Sequence, residues 1–341
     1  MADPSQPTAA AQPAPNAEHV EIVPDNDPYA AEDPAFLSAT DAASSTQSLS
    51  SSVLNYQYEN GRRYHAYRQG EYWLPNDEKE QDRMDLHHHI FRLCVGGALF
   101  RAPIDATEAR ILDLGTGTGI WAIEMADEYP RANVHGTDLS PIQPGWVPPN
   151  CFFEVDDYES EWDFSKPFDF IHGRNLAGTV KDYSVFYDRI KNNLNVGGWV
   201  EIVDFAAAVF SDDDTIKDAP NLTEWAKLLN EASVRFGKVF DVASQHKDMM
   251  IKAGFTNVRE EVQKVPLNPW PKHRKLKELG RYQQVNMIEA MESYSMALFT
   301  RVLEWEADEV KVFFTGVRQE LTDRSLHTYA KFYFVYGQKE E

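Results

Sequence analysis

The chain has 341 residues, 43% of them hydrophobic, enough for one large core or two modest ones, and holds no apolar run of the roughly 18 residues that suggest a membrane span. Its formal net charge of −21 opposes direct binding to DNA or RNA, because a protein that neutralises phosphates needs a basic face. The start, MADPSQPTAAAQPAP, has neither a basic stretch before an apolar one nor an Arg-rich character, and Cys94 and Cys151 stand in no metal-ligand spacing; an intracellular protein with reduced thiols is expected.

In chain order, residues 1–52 are rich in Ala, Pro, Ser, Gln and acid and contain no Lys or Arg. They offer too little apolar side chain to offset the entropy of ordering, which predicts a disordered acidic leader, either a plain solvated tail or a docking segment. From Tyr56 the sequence turns aromatic and arginine-rich, and Met84, Leu86, Ile90, Phe91 and Leu93 predict a helix from about Asp77 to Phe100. Residues 53–105 are therefore read as an N-terminal helical cap packed on the main domain. Within that helix His87, His88 and His89 are consecutive and fan out over about 200°, so they cannot chelate one ion and are read as part of its polar face.

Residues 106–341 form the expected main domain. Strand-like runs at Arg110–Leu114, Asn133–Asp138, Cys151–Val155, Phe168–His172 and Gly198–Phe205 alternate with helical patterns at Ile120–Tyr129 and Tyr183–Leu194. That alternation predicts an α/β, doubly wound, mostly parallel sheet covered on both faces. Beyond it, Asn221–Arg235 and Ser244–Ala253 read as helices within an insertion at about 206–255, Thr256–Val265 as a strand, Lys275–Phe299 and Asp308–Asp323 as helices within an insertion at about 270–325, and Leu326–Tyr336 as an aromatic strand.

The most informative segment is Ile111–Gly119, ILDLGTGTG. A buried strand ends at Leu114 and a helix begins near Ile120, so Gly115, Thr116, Gly117 and Gly119 occupy a strand-to-helix turn where the backbone takes positive φ and a ligand approaches unhindered. A dinucleotide fingerprint from Gly115 would need glycine where Ile120 stands, and a phosphate-binding loop would need a Gly-Lys pair before Ser or Thr, which is absent. What remains, Asp113 two residues before a GxGxG turn, suits a ligand with an amino-acid end. Asp138, with Leu139 beside it, closes the second strand, where a carboxylate can accept from both ribose hydroxyls; its alternative reading is a turn cap. After the third strand, Asp156 or Asp157 is placed to accept from an adenine amino group, with Tyr158 or Trp162 walling the ring.

With those residues in place, the chain resembles the class I S-adenosylmethionine methyltransferases and, within them, the fungal LaeA-like group associated with the velvet complex. The likeness runs from about Tyr56 onward and is carried by ENGRRYHAY, YWLPNDEKEQDR, ILDLGTGTGIWAIEMADEYP, GTDLSPIQPGWVPPN, FEVDDYESEW, FDFIHGRNL and GGWVEIVDF. It implies a seven-stranded sheet whose last strand enters antiparallel, and S-adenosyl-L-methionine bound by Gly115, Gly117, Asp138 and Asp157. It implies too that Arg174 or Asn175 lies beneath the sulfonium or amino-acid end, and that Tyr64 helps close the site.

Methyl transfer from a sulfonium is an in-line displacement, so alignment in a dry pocket is the main requirement. Where the acceptor must lose a proton, His172, Asp204 and His65 are the candidate bases, each with a structural hydrogen-bonding role as its alternative. Gly173-Arg174-Asn175-Leu176 stands where amide and adenine N-methyltransferases carry an Asn/Asp-Pro-Pro-Tyr turn, which argues against those substrates. Met287, Met291 and Met296 within Tyr282–Phe299 read as core or as acceptor-pocket lining. Three roles stay open: a catalyst acting on a protein, a biosynthetic O- or N-methyltransferase of small molecules, and a regulatory subunit holding a velvet-type partner, in the nucleus, the cytoplasm or both.

Overall fold

The computed structural model describes residues 56–65 and 72–340, with Ile22 alone before them; the expected leader 1–52 otherwise lies outside the described residues. A short hairpin opens the described part, β1 (Gln57–Glu59) and β2 (Arg62–Tyr64). Asn60 and Gly61 turn it with φ of 51° and 79°, the conformation a two-residue hairpin loop requires. The hairpin is an addition to the expected elements, although its Asn-Gly pair is a plain turn signal in the sequence. Helix α1 (Glu78–Cys94) comes next, its first turn capped by Asp77, which accepts from the Glu80 amide at 3.0 Å. It stops six residues short of the expected Phe100, because Gly96 and Gly97 take φ of 70° and 94° and turn the chain out of the helix.

The main domain runs β3 (Arg110–Leu114), α2 (Ile120–Glu128), β4 (Asn133–Asp138), β5 (Cys151–Val155), β6 (Phe168–Arg174), α3 (Tyr183–Asn192), β7 (Leu194–Phe205), α4 (Pro220–Phe236), α5 (His246–Lys252), β8 (Thr256–Pro266), α6 (Arg274–Arg301), α7 (Ala307–Thr322) and β9 (Tyr329–Gln338). The strands build one seven-stranded sheet in the order β5-β4-β3-β6-β7-β9-β8. β3 to β7 are mutually parallel, and β9 enters antiparallel between β7 and β8. The order reverses after β3: β4 and β5 lie to one side, β6 and β7 to the other. Such a switch point leaves a crevice at the carboxyl ends of β3 and β6.

Apolar side chains of both sheet faces fix the layers. Ile111, Val134 and Phe170 pack under α2 with Trp121 and Met125; Leu112, Ile171, Val200 and Ile202 pack under α3 with Phe186, Tyr187 and Ile190. Fully burying one such side chain contributes about 1.5–3 kcal/mol. A third cluster joins the last strands to a helical layer of α1, α4, α6 and α7, with Phe91, Trp225, Met291, Phe299, Val317 and Phe332 among its members. Met291 and Met296 are buried there, whereas Met287 is half-buried. Within this layer α1 packs along α6, which carries the cap over the mouth of the crevice.

Candidate active site

The glycine turn connects β3 to α2. Gly115, Gly117 and Gly119 have φ of 62°, 59° and 82°, so all three lie in the left-handed region. At Gly119 a Cβ would run into the Phe153 ring at 2.4 Å, and at Gly117 it would stand 3.3 Å from Met84 Sδ. Gly119 therefore lets β5 pack against the turn, and Gly117 keeps space open beneath α1.

Asp113 is buried at the end of β3, and both carboxylate oxygens are engaged: Oδ2 accepts from Thr116 Oγ1 at 2.6 Å and Oδ1 from His172 Nδ1 at 2.7 Å. Each oxygen keeps a second lone pair, and the carboxylate borders the cavity. The neighbouring Asp138, half-buried at the end of β4, accepts from the Gly117 amide at 2.9 Å and the Ser140 amide at 2.8 Å. Burial pushes its carboxyl up to about 6 despite those two bonds. It thus caps the turn while still facing the cavity.

That cavity, about 940 Å³ when the open solvent at its mouth is counted, has two halves. The floor is the crevice itself, with Asp113, Gly115, Thr116, Gly117, Asp138, Leu139, Tyr158, His172, Arg174 and Asn175 all on its wall. The roof comes from the cap: Tyr72, Leu74 and Pro75 before α1, Glu80, Arg83 and Met84 on α1, and Tyr294 from α6. Two contacts clamp roof to floor, Thr118 Oγ1 donating to Asp85 at 2.6 Å and Asn76 Nδ2 to Ser140 Oγ at 3.1 Å.

The roof is held by buried charge. Arg83 donates twice to Glu80, at 2.6 and 3.0 Å, and once to Asn286 at 3.0 Å, and its guanidinium lies 5.0 Å from the centre of the Tyr294 ring. Burial works against its charge, but the Glu80 carboxylate outweighs that and holds it firmly protonated. Arg62, on the hairpin, makes a bidentate pair with Asp77 at 2.6 and 2.9 Å and donates to Ser293 at 3.2 Å, so hairpin, α1 and α6 form one network.

Arg174 and Asn175 end β6, and Asn175 takes φ of 58°. The consecutive histidines hold them, which corrects the reading of His87–His89 as a polar face. His87 and His88 are both buried; Asn175 Nδ2 donates to His87 Nδ1 at 3.2 Å and Arg174 Nη2 to His88 Nδ1 at 3.0 Å. Burial depresses both imidazoles, His88 to about 4, so they are neutral acceptors. His89 sets its ring edge-on to Tyr282 instead. Among the described residues no cluster of metal-ligating side chains forms.

Of the three candidate bases, the cavity reaches His172 alone. Its ring stacks on Trp121 at 3.8 Å and is kept neutral by burial, so with Nδ1–H given to Asp113 its Nε2 carries the lone pair. Asp204 is off the cavity wall, between Val203 and Phe205 of the cap-side core. It accepts from His246 Nε2 at 2.8 Å and the Ala177 amide at 3.2 Å, and Tyr187 donates to His246 Nδ1 at 2.8 Å. His65 packs edge-on against Tyr72 at 5.1 Å and lines no part of the cavity.

Other expected residues are elsewhere. Tyr158 walls the crevice with its hydroxyl donated to Thr179 at 2.6 Å, while Trp162 stands behind it, donating to the Tyr158 carbonyl. Asp156 and Asp157 lie outside the wall: Asp156 accepts from the Asp157 amide at 2.8 Å, and Asp157 from the Glu159 amide at 2.8 Å and Ser160 Oγ at 3.3 Å, binding the local turn. Tyr64 is buried under Arg301, its hydroxyl pushed up to about 12 by burial, and Tyr72 occupies the roof position expected of it.

The floor fits S-adenosyl-L-methionine: a glycine cradle that a Cβ would fill, carboxylates at the ends of β3 and β4, and a buried Asn175 Oδ1 with no hydrogen-bond partner among the described residues. Comparison with known proteins agrees. Residues 86–260 match the family described as methyltransferase domain. The chain is 41% identical over 300 residues to methyltransferase pytC of Aspergillus terreus, covering 88% of this chain and 93% of that one. It is 39% identical to secondary metabolism regulator LAE1 of Cochliobolus heterostrophus, covering 80% and 91%, and 37% identical to protein-methionine methyltransferase laeA of Emericella nidulans, covering 80% and 73%. This chain therefore belongs to the methyltransferase-domain family and, within it, to the LaeA-like group of fungal methyltransferases.

Proposed function

We propose that the chain moves the methyl group of S-adenosylmethionine to a small-molecule or protein acceptor in the control of fungal secondary metabolism. The observation that carries this reading is the roofed crevice, in which Asp113, the glycine turn and Asp138 face Tyr72, Arg83 and Tyr294 across one cavity. When bound, the cofactor supplies a methyl carbon activated by a sulfonium. Asp138 accepts from the ribose hydroxyls, Asp113 and its neighbours take the amino-acid end, and the roof excludes water. Among the candidate bases, His172 alone lines the cavity.

The similarity to the secondary metabolism regulator LAE1 supports a regulatory setting, and a velvet-type regulator as partner, in the nucleus, the cytoplasm or both, belongs to the same proposal. The full chain titrated with S-adenosylmethionine in a calorimeter should give saturable heat. Gly117→Val should abolish it, because a β-branched side chain at φ of 59° is strained and would stand against Met84. No heat from the wild type would sink the reading. Labelled methyl transfer to a velvet-type partner, or to metabolite extract, separates the acceptor classes.

A further inference from the structure

Two polar groups on the cavity wall lack the partners their chemistry calls for, and they are neighbours in the chain. Asn175 Oδ1 is buried with no hydrogen-bond partner among the described residues. Arg174 stands in the field of Asp113, Glu124 and Asp85, yet among the described residues no carboxylate bonds to it, and burial pulls its guanidinium down to about 10. A free acceptor beside a free cation complements the ammonium and carboxylate of an α-amino acid, the end that S-adenosylmethionine carries beyond its sulfonium. We propose that His87 and His88 of α1 are positioning residues for that end of the methyl donor: His88 holds Arg174 for the carboxylate, and His87 holds the Asn175 amide so that Oδ1 takes the ammonium together with Asp113. The inference rests on the methyltransferase reading above.

The bonds of each imidazole define its role. His88 Nε2 lies 2.9 Å from Glu124 Oε2, and Glu124 is paired in turn with Arg92. A carboxylate only accepts, so Nε2 carries the proton and Nδ1 presents the lone pair that takes Arg174 Nη2 at 3.0 Å. That bond uses one N–H of the guanidinium, whose carbon stands 5.0 Å from the centre of the Phe91 ring, and leaves the others for a ligand. His87 is packed among the Phe91, Phe205 and Phe332 rings, with centroids 4.6, 5.8 and 5.7 Å away. Its Nδ1 accepts from Asn175 Nδ2 at 3.2 Å, while its Nε2 is buried with no hydrogen-bond partner among the described residues. Phenylalanine would fill such a setting without the cost of an unpaired polar atom, so what the imidazole contributes is the Nδ1 bond. With Nδ2 given to His87, Oδ1 is the end of the Asn175 amide left for a ligand. The backbone is pinned as well: Asn175 takes φ of 58°, and its amide donates to the Val203 carbonyl at 2.9 Å. Both histidines belong to the helix that roofs the cavity through Glu80, Arg83 and Met84, so docking of the cap and orientation of the floor's free groups are one event.

S-adenosylhomocysteine and 5′-methylthioadenosine share the adenosine and the thioether and differ in the amino-acid end, so the ratio of their affinities reads that end alone. In calorimetry with the full chain, S-adenosylhomocysteine should bind at least about 100-fold more tightly than 5′-methylthioadenosine. His88→Gln keeps a donor for Glu124 but no lone pair where Nδ1 was, and His87→Phe keeps the aromatic packing without the acceptor. Each should shrink the ratio at least about 10-fold while 5′-methylthioadenosine affinity stays within about 3-fold, which also shows that the variant is folded. His88→Asn, whose carbonyl oxygen stands where Nδ1 was, should keep the ratio within about 3-fold of the wild type. A wild type that binds both ligands alike, an unchanged ratio in His88→Gln and His87→Phe, an equal loss for both ligands, or a His88→Asn that behaves as His88→Gln overturns the proposal and leaves the methyltransferase reading standing. A wild type that binds neither ligand overturns that reading and this inference with it.

Discussion

Asp138 serves both the glycine turn and the cavity, and its titration couples them. With its carboxyl held up at about 6 by burial, the proton enters as pH falls through 6 and removes the acceptor that a ribose diol needs. Affinity for S-adenosylmethionine should be flat above pH 7 and fall up to about tenfold per unit below 6. Asp138→Ala should weaken binding roughly 10-fold to 150-fold at pH 7.5 and abolish that slope, as read by calorimetry across pH 5–8. Glu201 offers the converse case for stability. Its Oε2 accepts from the Arg101 and Ala102 amides at 2.7 and 2.6 Å, its Oε1 is buried with no hydrogen-bond partner among the described residues, and burial pushes the carboxyl up to about 7. A carboxyl raised on folding binds more protons in the native state, so its contribution is present at low pH and is lost as pH rises from about 4.5 to 7. Glu201→Gln should remove that decline, worth up to roughly 3 kcal/mol, in urea titrations at pH 5 and pH 8.

At the scale of elements, the network under α1 sorts surface charge from buried charge. Lys79 pairs with Glu289 and Glu292 at 2.9 Å, yet its side chain is 51% exposed, and Lys79→Ala should cost no more than about 1 kcal/mol. Glu80, one residue on, is 1% exposed and carries Arg83; Glu80→Ala strands that guanidinium and should cost about 3–5 kcal/mol, with a matching loss of cofactor affinity as the roof loosens. Denaturant titration of the two variants side by side checks the contrast. The same network shows why the two halves of the site are unequally legible in the sequence. The floor can be read because its signals are local: Asp113, the glycines and Asp138 sit at the ends of consecutive strands, where spacing alone constrains geometry. Tyr294, Arg83 and Tyr72 meet only after α6 folds back on α1, and neither periodicity nor motif encodes that pairing. His87 and His88 mislead for a related reason. Three histidines on a helix look polar until the neighbours, here Arg174 and Asn175, supply donors that offset the cost of burial. Asp157 and Asp204 show the limit from the other side: the right residue type at the right strand end can be consumed by a local turn or by a structural His246–Tyr187 chain.

For the whole molecule, the sheet topology sets what can be removed. β9 is the penultimate strand of the sheet, hydrogen-bonded to β7 on one side and β8 on the other, and it carries buried Phe332, Phe334 and Val335. A chain stopped before Tyr329 loses both pairings and leaves β8 with no neighbour, an unpaired edge that invites association with other chains. It should be recovered as aggregate rather than as a monomer of reduced stability, a difference that size-exclusion chromatography of the two forms would display.

The placement of β9 also has a temporal side. On the ribosome, β3 to β7 can find their parallel partners while downstream sequence is still being made, yet the strand that joins β8 to them is the last to be translated. Ala330, on that strand, packs in the same core cluster as Tyr294. The floor of the crevice, built at the ends of β3, β4 and β6, can therefore take shape on a nascent chain before the sheet closes through Tyr329–Gln338, whereas the Tyr294 roof waits for α6.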